Sequence, residues 1–64
     1  MNNLKALRTK KGLYQKDIAN FLNVAVSTYS YWEQGKFEPD SETLKKLADY
    51  FGVSVDYLLG RENH

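Results

Sequence analysis

Four side chains near the middle of the chain, Val26, Ser27, Ser30 and Tyr31, share one side of the helix into which residues 26–34 would wind. Tyr29 and Trp32, three residues apart, take the other side and are the pair that fills a core. The four offer recognition chemistry rather than bond-making: hydroxyls that donate and accept, a pair of methyls and an aromatic ring with a polar tip. Tyr31 is the most telling of them, because an exposed aromatic beside two core aromatics asks for a partner. Catalysis has little footing. The single histidine is the terminal His64 and there is no cysteine. No acidic pair brackets a cleft, and no serine or threonine has a base within sequence reach. Metal binding fails for want of ligands, so no cofactor is expected and the chain does not read as an enzyme.

The residues that must position this row precede it. In Gln15 to Leu22, Ile18, Ala19, Phe21 and Leu22 fall at helical spacing. Asn23-Val24-Ala25 is too short for anything but a sharp turn, and Asn is the residue other than Gly best able to take a positive φ there. A short, mostly uncharged helix presented by a tight turn is the geometry with which a helix-turn-helix reads DNA.

The rest of the chain frames that motif. Asn2 or Asn3 can cap a first helix running to about Lys11, with Leu4 and Leu7 as its apolar stripe and Gly12 as its stop. Tyr14 stands where a cap is expected and is a poor one, which Asp17 offsets by complementing the helix dipole. Gly35 ends the helix after Trp32, and Pro39 keeps the residue before it extended. Asp40 or Ser41 caps a fourth helix whose Leu44, Leu47, Ala48 and Phe51 repeat without a fault. Ser54 caps a short last helix, Val55 to Leu59, ended by Gly60; Arg61 to His64 read as a frayed tail. The expectation is a compact all-α fold of five helices, one domain over residues 1–64.

Net charge is +1, but its distribution is uneven: residues 1–32 carry five Lys or Arg against one acid, residues 33–64 four against seven. One end can face phosphates while the other faces water or a partner. No apolar run is long enough for a signal peptide or a membrane span, so a soluble cytoplasmic protein is expected.

From Leu4 to Gly60 the chain resembles the Cro/cI-type helix-turn-helix domain of phage repressors and related bacterial regulators. The resemblance is carried by LKALRTKKGLYQKDIA, LNVAVSTYSYWEQGK and PDSETLKKLADYFGVSVDYLL, with Arg8, Gly12-Leu13-x-Gln15, Ala19, Trp32-Glu33-x-Gly35-Lys36 and Pro39 in the family's places. It implies a bacterial or phage-encoded regulator on the nucleoid, with the third helix in the major groove of duplex DNA. Val26, Ser27, Ser30 and Tyr31 then meet base edges, while Gln15, Thr28, Gln34 and Lys36 touch the backbone. It also implies an ion pair between Arg8 and Glu33. The chain departs from the pattern at Ala25, where a Ser or Thr cap is common, at Tyr14, where many members have Thr, and at Asn23, where many have Gly. It departs again at Val26 and Tyr31, where many carry Arg or Gln. The usual bidentate base readers are absent, which shifts specificity toward DNA shape and paired half-sites.

Family members commonly pair through their C-terminal third. Here Tyr50, Val53, Val55, Tyr57 and Leu58 supply more apolar residues than one small core needs, which places a homodimer interface at Val53, Val55, Tyr57 and Leu58. The reading from another class is a protein-interaction module of the antitoxin type, using the same fold and Tyr31 to bind a protein.

Overall fold

All five helices of the structure end in the same device. The protein is seen in a computed structural model that describes residues 2–61. The helices are α1 (Leu4–Lys10), α2 (Gln15–Leu22), α3 (Val26–Gln34), α4 (Ser41–Phe51) and α5 (Val55–Leu58). After each, one residue turns left-handed and the next N–H reaches back to a carbonyl five residues earlier. Leu13 thus bonds Arg8, Val24 bonds Ala19, Lys36 bonds Tyr31, Val53 bonds Ala48 and Arg61 bonds Asp56. These bonds close helix-end carbonyls that would otherwise lack partners. Four of the left-handed residues are glycines; the fifth is Asn23, at φ 59°. The turn into α3 is therefore as sharp as the sequence predicts, with Asn tolerating a backbone that most L-residues resist.

Helix starts are more varied. Asp40 caps α4 by accepting from the Thr43 N–H at 3.0 Å, and that bond holds its carboxyl below the usual aspartate value. Ser54 accepts from the Tyr57 N–H at 3.0 Å. Tyr14 gives α2 no side-chain cap, and Asp17 compensates by more than its charge: its carboxylate accepts the Tyr14 N–H at 2.7 Å. Ala25 gives α3 no side-chain cap.

Each helix sends apolar residues into one core: Leu4 from α1, Ile18 and Ala19 from α2, Tyr29 and Trp32 from α3, Leu44, Leu47 and Phe51 from α4, and Leu58 from α5. Burying a Leu, Ile or Phe contributes about 1.5–3 kcal/mol, so a chain this short relies on every one of them. The N-terminal segment is stitched on by polar contacts. Asn2 Nδ2 donates to the Trp32 carbonyl at 2.8 Å, and Asn3 Nδ2 to the Tyr57 carbonyl at 2.7 Å.

Three sequence expectations change here. Phe21, placed with the apolar stripe of α2, is 52% exposed and lies against Tyr50 of α4, ring centroids 4.6 Å apart. Leu58, assigned to a dimer surface, is fully buried in the core of its own chain and has no face left to offer. Arg61 is no part of a loose tail: its N–H closes α5, and its guanidinium meets Glu38 at 3.2 Å. The remainder of that tail lies outside the described residues. Among the described residues no helix is long and apolar enough to cross a membrane.

Candidate nucleic-acid interface

The α2–turn–α3 unit is built so that α3 can hold only one orientation. Tyr29 and Trp32 meet edge to face, ring centroids 6.2 Å apart and planes at 80°, inside the core. With that face pinned, the opposite side must look outward. Val26 is 44% exposed and Tyr31 42%, Ser27 is open to solvent, and Ser30 lies between them half-buried. The structure thus brings together the four residues that the helical spacing groups.

The far end of α3 is fixed by a cluster at Glu33. Arg8 Nε donates to Glu33 Oε2 at 2.6 Å and Arg8 Nη2 to Oε1 at 3.2 Å. Arg8 Nη1 donates to the Leu13 carbonyl at 2.8 Å, and Gln15 Nε2 donates to Glu33 Oε1 at 3.0 Å. The Glu33 carboxylate therefore joins α1, the start of α2 and the end of α3, and Arg8 adds the loop before α2. Burial alone would raise the Glu33 carboxyl, but the hydrogen bonds from Arg8 and Gln15 outweigh it and hold it below the ordinary glutamate value. The same bond to Glu33 raises the Arg8 guanidinium. The Tyr29 hydroxyl is buried with no hydrogen-bond partner of regular geometry. Burial first, then the close approach of the Glu33 carboxylate and its charge, push that phenol upward.

A model of the helix-turn-helix family matches residues 4–58, nearly the whole of this arrangement. The chain belongs to that family, of Cro/cI type. It is 48% identical over 56 residues to an uncharacterized, SPβ prophage-derived HTH-type transcriptional regulator, YonR of Bacillus subtilis, covering 88% of this chain and 52% of that protein. It is 36% identical over 56 residues to the cryptic phage CTXphi transcriptional repressor RstR of Vibrio cholerae, covering 88% of this chain and 50% of the relative. The crystal structure of a transcriptional regulator from Listeria innocua superposes with a TM-score of 0.86 at 40% identity, over 97% of this chain and 58% of that one. The chain spans about half the length of these relatives. The family is a DNA-binding class rather than an enzymatic one.

On this helix-turn-helix domain the flanking residues fall as follows. Gln34 Nε2 donates to Ser30 Oγ at 3.0 Å, so two residues expected to touch DNA hold each other on the α3 surface. Thr28 is half-buried, and Gln15 is tied to Glu33. Lys36 Nζ lies 5.4 Å from the centre of the Tyr31 ring. Of the expected dimer residues, Val53 and Val55 pack half-exposed at the core margin and Tyr57 is half-buried. Phe37 escapes the sequence reading. It projects 63% exposed from the loop after α3 and meets Tyr31 edge to face, ring centroids 5.8 Å apart. Its signal was available: a lone aromatic in the polar stretch Gly35-Lys36-Phe37-Glu38 has no helix whose core face it could serve. Among the described residues no grouping of His, Cys, Asp or Glu could hold a metal ion.

Proposed function

We propose that the chain binds duplex DNA sequence-specifically through α3 and regulates transcription, as a repressor of the phage or mobile-element type. The observation that carries this reading is the outward row Val26, Ser27, Ser30 and Tyr31, on a helix locked at its start by the Asn23 turn and at its end by Arg8–Glu33. Val26 packs on a thymine methyl, Ser27 and Ser30 donate to or accept from base edges, and Tyr31 reaches a base or its sugar. Gln15, Thr28, Gln34 and Lys36 contact phosphates and set the register. Two copies pair through Val53, Val55 and Tyr57, Leu58 being withdrawn into the core, and read a palindrome whose half-sites lie about one helical turn apart. Repression follows by occlusion of a promoter, in the bacterial cytoplasm on the nucleoid. The prophage origin of one relative and the repressor name of another support this assignment.

Titration of labelled duplex across a salt series tests it. Binding that weakens steeply with salt, at two copies per palindromic site, supports the reading. Salt-insensitive retention of a protein, with no duplex affinity, contradicts it. One observation favours a second reading as a protein-interaction module: the exposed Phe21–Tyr50 pair offers an aromatic surface that the core does not use.

A further inference from the structure

We propose that Phe37 is a positioning residue for base reading: its ring holds Tyr31 in place and so decides which base edge the phenol reaches. The inference rests on α3 being the reading helix.

A phenylalanine 63% exposed contributes little to the core, yet Phe37 is not loosely held. The loop that carries it is anchored on both sides. The Lys36 N–H bonds the Tyr31 carbonyl at 3.0 Å, Pro39 is buried, and Glu38 meets Arg61 at 3.2 Å. From this fixed loop Phe37 meets Tyr31 with ring planes at 74°, while Lys36 Nζ lies 5.4 Å from the centre of the same ring. Both contacts fall within the ranges where edge-to-face pairs and cation–π contacts are attractive. Two consecutive loop residues thus hold one outward-facing side chain of α3. Tyr31 has no other aromatic neighbour of this kind among the described ring contacts. Held by Phe37, the Tyr31 ring meets DNA without first losing rotamer freedom, so the preference it imposes is sharper than a free phenol could give.

The test compares wild type, Phe37→Ala, Tyr31→Ala and the double variant on duplexes selected from a random pool, with Phe37→Tyr as the conservative control. Melting midpoints confirm that each is folded. Phe37→Ala should weaken binding by roughly threefold to tenfold and relax preference at the same base pairs as Tyr31→Ala. The double variant should lose no more than Tyr31→Ala alone, and Phe37→Tyr should keep the wild-type preference. In the free protein, Phe37→Ala should shift the Tyr31 ring resonances. Additive losses, relaxation at different base pairs, or unmoved Tyr31 resonances overturn the assignment. So does a selected site that Phe37→Ala reads unchanged, and that result leaves the DNA reading itself intact. A wild-type protein that enriches no site overturns the DNA reading, and this assignment with it.

Discussion

Glu33 accepts two hydrogen bonds from Arg8, at 2.6 and 3.2 Å, with 9% of the Arg8 side chain and 5% of the Glu33 side chain exposed to solvent. The pair fastens the last turn of α3 to α1. A nearly buried ion pair adds little net stability over an apolar pair of the same volume, yet removing one partner strands the other. Arg8→Ala or Glu33→Ala should therefore destabilise the protein by about 3–5 kcal/mol. The double variant Arg8→Met with Glu33→Met should lose clearly less than either alanine variant. Urea denaturation measures all three; a double variant as unstable as the sum of the singles contradicts this account of the joint.

Stability should fall at both ends of the pH scale, for different residues. The Glu33 carboxyl is held below its unfolded value of 4.5, so the unfolded chain takes up protons first as acid is added. The stabilisation is complete above that pH and is lost as pH drops through the lower, folded value. Tyr29 is shifted the other way: its folded phenol is raised above 10.0, so the unfolded chain ionises first in alkali and stability declines above that pH. Melting midpoints from pH 2 to 12 read both limbs. Glu33→Gln should flatten the acid limb and Tyr29→Phe the alkaline one. If Glu33→Gln leaves the acid limb intact, another carboxylate governs it, with Asp40 the next to examine.

Asn23 holds the turn of the motif at φ 59°. Alanine there must take a left-handed backbone without the local polar contacts that Asn can make, which costs about 1 kcal/mol. Asn23→Ala should lower stability by that amount, whereas Asn23→Gly should match or slightly exceed wild type. Equal losses in both variants would mean that the side chain, not the backbone, is what the turn requires.

How much of this was legible in the sequence depends on the question asked. The bounds of α2 and α3 follow from residue spacing and from Asn23 and Gly35, because helix periodicity and left-handed stops are local properties. Which neighbour covers a given face is not local. Phe21 has the same spacing relation to Ile18 as core residues have to one another, yet it stays largely exposed and meets only the edge of α4, at Tyr50. Leu58 follows Val55 and Tyr57 in an apolar cluster, and only the packing of α5 shows that it alone is sealed inside. Arg8 and Glu33 are twenty-five residues apart, so their contact was visible only through the family resemblance. Gln15 bonds Glu33, a partner that no local pattern could name. Phe37 was readable only as an oddity, since its meaning depends on where the loop after α3 returns.

Val26, 44% exposed at the first turn of α3, is expected to meet a thymine methyl. Replacing that thymine by deoxyuridine removes only the methyl. Binding should weaken about fourfold, the equivalent of roughly 0.8 kcal/mol for one buried methyl-sized group. In Val26→Ala the same replacement should have little further effect. A deoxyuridine scan of the selected site by fluorescence anisotropy checks both statements, and equal sensitivity in the two proteins assigns the methyl to a different side chain.

Whether the outer face of α3 reads bases is decided by selecting duplexes from a random pool, with Ser27→Ala and Tyr31→Ala run beside wild type. The wild-type protein should enrich a palindromic site, and the two variants should show relaxed preference within each half-site. A pool that stays unenriched, or a site that both variants select unchanged, contradicts base reading by α3.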